Sequence, residues 1–222
     1  MRQLVIDIET SAPEFDSFDV ETQEYLLKRA NTPEKIAEVK ERLNIFPLTG
    51  EIVAIGMVDV ATEQGTVYYQ APGRTIAPFT EDGTHYVAGT EAECLQRFWS
   101  ASADADRIIT FNGRAFDAPW LLLRSLVHGI PAARNLMPPR YSTGFHVDLA
   151  DQLTYYGAVR NFSLDFWCKT LGIPSPKTDI SGADVPSIYR AGEYERIARY
   201  CIRDVRATRV LFLKWEATIG QW

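Results

Sequence analysis

Leu4-Val5-Ile6-Asp7-Ile8-Glu9-Thr10 is an apolar, largely β-branched run that leads into two carboxylates. A strand period of two puts Asp7 and Glu9 on one face, about 7 Å apart, with Ile6 and Ile8 on the other. Like charges at that spacing repel and are costly to take out of water, and a divalent cation between them relieves both costs. The same residues also fit a strand whose acidic end simply faces solvent. Asp117 follows Phe111-Asn112-Gly113 and stands at the start of a helical stretch, at the carboxyl edge where open α/β sheets bind ligands. A carboxylate there can equally cap the helix. Asp204 lies within a helical stretch with Tyr200 four residues before it, so both project from one face. Next to Arg203, and taken alone, Asp204 reads as an ordinary solvated acid.

An alternation of strands and helices is needed to bring these residues together, and the hydrophobic pattern supplies one. After the first strand, polar helical stretches are expected at 17–30 and 33–43, the second with Thr32 as N-cap and Pro33 at its first position. They read as a surface insertion at 11–48, a solvated helical pair covering the sheet edge. Residues 51–60 and 65–70 read as a strand hairpin, 71–83 as a loop and 85–88 as a brief strand. Thr90, with Glu93 three residues on, opens a helix to about residue 102. A strand at 107–111, an Asn-Gly turn and a helix at 119–128 form an α/β crossover. A loop at 131–144, a strand at 145–149, a helix at 163–171 with Ser163 as its cap, a loop at 174–186 and a long helix at 193–216 complete the chain.

Composition narrows the class. The 222 residues carry a net charge of −6, with 46% hydrophobic and 23% charged residues, as in an ordinary globular protein. No apolar run approaches the roughly 20 residues of a membrane span, and no secretory signal is recognised, so a cytoplasmic protein is expected. Cys94, Cys168 and Cys201 are widely spaced and lack a C-x-x-C pattern, which argues against a disulfide framework or zinc site. An acidic chain is a poor non-specific duplex binder, yet it can hold a few nucleotides in a local cleft.

Taken together, the D-x-E at Asp7 and Glu9, the N-x-x-x-F-D from Asn112 to Asp117 and the Y-x-x-x-D from Tyr200 to Asp204 resemble, in order and spacing, the three motifs of the DEDD superfamily of 3′–5′ exonucleases. The tyrosine variety (DEDDy) is the closer match, because the histidine variety places His five residues before the final Asp, where this chain has Arg199. More narrowly, the chain is similar to the stand-alone bacterial family related to the proofreading exonuclease domain of family-B DNA polymerases, over about residues 4–213. This resemblance implies an RNase H-like α/β fold, a five-stranded mixed sheet with its second strand antiparallel and helices on both faces. It also implies a single exonuclease domain spanning residues 1–222.

The implied chemistry is phosphodiester hydrolysis with two Mg²⁺ or Mn²⁺ ions, hard cations that prefer carboxylate oxygen. By the family's pattern Asp7 would bridge both ions, Glu9 and Asp204 would complete the site that activates water, and Asp117 would hold the second ion, in part through water. Tyr200 would orient the attacking water, since a phenol is a poor base at neutral pH. Thr10, Asn112 and Phe116 are the expected contacts to the terminal nucleotide, although Asn112 can equally serve only its turn. Arg134, Arg140, Tyr141, Arg160 and Lys177 sit in loops that could border a cleft, or are plain surface groups. His146 and Asp148 form an H-x-D at a strand end, and Asp148 is read as a supporting group rather than a fifth ligand. The expected partner is a single-stranded 3′ end, with DNA ahead of RNA. An exoribonuclease, or an RNase H-like module that binds without cleaving in a repair or polymerase assembly, is the alternative.

Overall fold

The computed structural model describes residues 1–176 and 179–220, so Lys177 lies outside the described residues. The chain opens with β1 (Gln3–Ser11), followed by a short 3₁₀ turn at Phe15–Ser17, α1 (Val20–Leu27) and α2 (Pro33–Glu41). A second turn at Leu43–Ile45 leads into β2 (Glu51–Asp59), β3 (Gly65–Gln70), β4 (Phe79–Glu81) and β5 (Thr84–Gly89). Then come α3 (Glu91–Ser102), β6 (Arg107–Thr110), α4 (Asp117–Val127), β7 (His146–Asp148) and α5 (Leu149–Leu153). The chain closes with α6 (Leu164–Leu171), a 3₁₀ turn at Gly182–Asp184, α7 (Val185–Arg190) and α8 (Tyr194–Thr218).

Among the described residues these strands form one mixed sheet of seven, in the order β4-β5-β3-β2-β1-β6-β7. The expected count of five is therefore too low. Five strands, β3-β2-β1-β6-β7, with β2 antiparallel to β1, do reproduce the expected sheet. The extra pair lies outside β3. β5 runs parallel to β3, and β4 turns back antiparallel on β5, where Phe79 stacks on Tyr86 at 4.7 Å. β4 occupies part of the stretch expected to be loop, because three residues between a proline and a glycine carry too little periodicity to read. Likewise α5 and α7, five and six residues long, fall in stretches where no helix was expected.

Two apolar layers sandwich the sheet. On one face Val5, Val58 and Val67 pack with Ile197, Cys201 and Val205 of α8. On the other, Leu4, Ile6 and Ile8 pack with Leu95 and Phe98 of α3 and Leu121 of α4. Asp7 and Glu9 share the face of Val5 by strand alternation, so the sequence itself directs them beneath α8. The capping residues expected from sequence do their work: Thr32 accepts from the Lys35 amide, Thr90 and Glu93 form a capping box, and Ser163 accepts from the Phe166 amide.

The 11–48 segment does not cover a sheet edge. The edges are β4 and β7, whereas this segment folds back on the carboxyl end of central β1. There Phe15 and Leu43 bury themselves with Ala12. Helices α1 and α2 bury no residue and are solvated, as expected.

One buried ion pair fastens the helical layer to the sheet. Glu91 takes both bonds of the Arg124 guanidinium, at 2.8 and 2.6 Å, and accepts from the Ile52 amide at 2.8 Å. Removing one partner of a buried pair leaves the other charge uncompensated. Glu91→Ala should therefore lower unfolding free energy by about 3 kcal/mol in urea denaturation, and a loss under about 1 kcal/mol would place this pair with ordinary surface pairs.

Candidate active site

The site forms where β1 outlasts its neighbour. β6 pairs with β1 only from Gln3 to Val5, so the next turns of β1 run on without a strand on that side. Asp117, the first residue of α4, fills the vacated position: its Oδ1 accepts the Ile8 amide proton at 2.9 Å. The helix-cap reading of Asp117 is thus incorrect. Phe116 holds the N-cap position, and the Asp117 carboxylate, besides accepting its own amide, reaches across to another strand. On the opposite side the register with β2 slips between Glu9 and Thr10, a bulge that bends the strand end beside the acids.

The turn that delivers Asp117 is held by Asp148. Its carboxylate accepts the amides of Asn112 at 2.7 Å, Arg114 at 2.8 Å and Ala150 at 3.0 Å. Asn112 there has a φ of 65°, and a Cβ on Gly113 would lie 2.4 Å from Thr110 Cβ, so only glycine fits. Three of the acceptor positions of Asp148 are thus taken by backbone amides that hold the turn. His146 serves the same edge, bonding Thr110 Oγ1 at 2.9 Å and the Leu136 carbonyl at 2.8 Å.

Helix α8 brings Tyr200 and Asp204 over the end of β1. What sets its height is Gly56, the register partner of Asp7 on β2. A Cβ at position 56 would come within 2.9 Å of both Cys201 Sγ and Val205 Cγ2. The missing side chain lets α8 settle onto the sheet. Cys201 then donates its thiol to the Asp7 carbonyl at 3.5 Å, and its sulfur lies within 4.8 Å of carboxylate oxygens of Asp7 and Glu9. The sequence reading missed Gly56 and Cys201. Only adjacency to Tyr200 pointed at Cys201, and nothing local marks Gly56.

The electrostatics are those of four acids in one space. Burial, then Asp117, Glu9 and Asp204, push the Asp7 carboxyl well above its ordinary value. Burial, then Asp204 and Asp117, do the same to Glu9. Burial raises Asp117 to about 7, against the pull of the backbone amides that it accepts. The Tyr200 hydroxyl, which donates to Asp204, is driven far above the usual phenol range by burial and then by Glu9 and Asp204. Tyr200 therefore stays protonated, a donor and not a base. Burial first, then the surrounding carboxylates, holds the Cys201 thiol protonated as well. Carboxylates that raise one another's pKa in a buried space suit hard divalent cations bound through oxygen, which would cancel the repulsion.

A cleft of about 860 Å³ opens from this cluster. Glu9, Thr10 and Phe116 line its inner end. Thr10 also donates its hydroxyl to the Asn44 carbonyl at 2.7 Å, so its side chain already ties β1 to the 11–48 segment. Asn112 is exposed on its turn and is not among the cleft's lining residues. Arg134, Arg140, Tyr141 and Arg160 do not line it either. Arg134 bonds the Ala103 carbonyl, beyond the far end of the sheet, Arg140 pairs with Asp151, and Arg160 lies over Phe162.

Residues 51–222 match the family described as "Predicted 3'-5' exonuclease related to the exonuclease domain of PolB". A DNA polymerase of Pyrococcus glycovorans is 25% identical over 161 residues, which is 61% of this chain and 20% of that polymerase. The alignment therefore spans about a fifth of that relative's length. Asp117, Tyr200 and Asp204 fall inside the family match, while Asp7, Glu9 and the 11–48 segment precede it.

Two measurements follow from this geometry. Asp7, Glu9 and Asp117 keep their protons to higher pH in the fold than in the unfolded chain, so the metal-free protein should lose stability as pH climbs from about 4, through about 7 for Asp117 and through the raised values of Asp7 and Glu9. Mg²⁺ or Mn²⁺ should accordingly raise Tm by several degrees at about pH 8 and hardly at all near pH 5; equal shifts at both would contradict the repulsion. Gly56→Ala should lift α8 from the sheet and weaken Mn²⁺ binding about tenfold in titration calorimetry. Unchanged affinity would show that the glycine does not set the helix position.

Proposed function

The chain belongs to the family of 3′–5′ exonucleases related to the exonuclease domain of PolB, and from that premise we propose that it is a metal-dependent 3′–5′ exonuclease of the DEDDy variety, on an RNase H-like fold, acting on single-stranded ends. The observation that carries the proposal is the convergence of Asp7, Glu9, Asp117, Asp204 and Tyr200 at one end of β1, from three separated parts of the chain.

Asp7, Glu9, Asp117 and Asp204 would hold two divalent cations, which when bound supply an activated water and charge stabilisation at the departing 3′ oxygen. The protein's own groups do the rest. Asp7, on which Asp117, Glu9 and Asp204 all act, would be the carboxylate common to both ions, and Asp117 approaches from the side of α4. Tyr200, kept neutral, gives its one O–H to Asp204, and its phenol oxygen would orient the attacking water by accepting a hydrogen bond from it. Thr10 and Phe116 flank the acids at the cleft's inner end, where the terminal sugar and base would rest.

A DNA substrate is favoured by the likeness to a DNA polymerase. A module that only binds would have no need of four mutually repelling acids and a buried tyrosine, and all five positions are filled here. A time course on 5′-labelled single-stranded DNA and RNA of one sequence tests the reading. A ladder shortening from the 3′ end, dependent on Mg²⁺ or Mn²⁺ and faster on DNA, is expected. Asp7→Ala should reduce it on the order of a thousandfold, and Tyr200→Phe about a hundredfold. Cleavage that persists in Asp7→Ala, or that survives EDTA, would overturn it.

A further inference from the structure

The cleft that starts at Glu9 and Thr10 has two walls of different origin. One is the 11–48 segment, which the family match does not include, and the other is the turn at Gly182–Asp184 with α7. Across the opening between them Arg190, at the end of α7, pairs with Glu14 at 3.2 Å. On the first wall Lys40 pairs with Asp16 at 3.4 Å and lies over the Phe15 ring at 4.6 Å. Both pairs are open to solvent, with Arg190 49% and Glu14 70% exposed. Exposed pairs add little stability, so their partners can be exchanged cheaply.

Resting on the exonuclease reading above, we infer that this cleft is the path of the last few nucleotides of a single strand, with Arg190 and Lys40 as its phosphate contacts. In the free protein Glu14 and Asp16 occupy those cations, and an incoming phosphate backbone takes their place. Three features favour this occupant. The cleft begins at Glu9 and Thr10, so a strand lying in it has its end beside the acids. Its volume is that of a small-ligand site, enough for a few unpaired nucleotides and too small for a duplex. Its cations stand on opposite walls, which suits a flexible strand threaded between them, and backbone contact of this kind needs no base readout.

The test is binding of a 5′-fluorescein oligothymidylate by anisotropy, with Ca²⁺ replacing Mg²⁺, across a range of salt, alongside cleavage of the same oligomer with Mg²⁺. All four residues are on the surface, and circular dichroism of each variant checks that it folds. Arg190→Gln and Lys40→Gln should each weaken binding about five- to tenfold and reduce the slope of log K against log salt by about 0.7. Glu14→Gln should tighten binding about threefold and lower KM, since it frees Arg190. In the double variant Glu14→Gln, Arg190→Gln the gain should vanish. If the single cation variants leave affinity and salt slope unchanged while the parent still digests 3′ ends, the strand takes another path and the inference fails alone. Should the parent cleave nothing yet bind with Arg190-dependent slope, the cleft assignment holds and the exonuclease reading fails.

Discussion

Mutual repulsion among Asp7, Glu9, Asp117 and Asp204 is the constraint to which the rest of the molecule is fitted. No single element could place four carboxylates so close, because neighbouring acids on one strand or helix diverge with its period. The fold therefore brings them from a strand end, a helix start and the middle of a long helix. Each is held by structure that faces away from the site. β1 is gripped by β2 along its length, α4 is aimed by the turn that Asp148 holds, and α8 is bedded on the sheet through Gly56. The large buried layers on either face of the sheet make this crowding tolerable in the absence of a cation.

The parts of this arrangement with local signatures were legible in the sequence. Strand alternation placed Asp7 and Glu9 together, helical spacing did so for Tyr200 and Asp204, and capping residues marked the starts of α2, α3 and α6. What stayed hidden depended on partners far along the chain. Asp117 looked like a helix cap because its true donor, the Ile8 amide, is 109 residues away. Gly56 reads as one more small residue in a buried strand until α8 is laid across it. Of the sheet's outer pair β5 was read as a brief strand, whereas β4 escaped notice because it has three residues and owes its existence to pairing with β5.

The 11–48 segment shows the same limit from another side. Its helices read correctly as polar and solvated, and by that measure they were assigned to covering an edge. Their place at the end of a central strand follows instead from Phe15 and Leu43 burying beside Ala12, and from Thr10 bonding Asn44. That placement turns a surface insertion into one wall of the cleft leading to the acids. Charges separated by more than 170 residues, Glu14 and Arg190, thereby meet across it. Family likeness carries no information about this wall, since the match begins after it.

If cation binding is the reason for the crowding, the ions must sit together and share Asp7. Electron paramagnetic resonance of the Mn²⁺-loaded protein, with the bound metal counted by equilibrium dialysis, measures this without reference to any substrate. Two Mn²⁺ per chain with the broadened signal of coupled ions are expected, and Asp7→Asn should remove both the coupling and at least one ion. A single isolated Mn²⁺, indifferent to Asp7→Asn, would contradict the shared site.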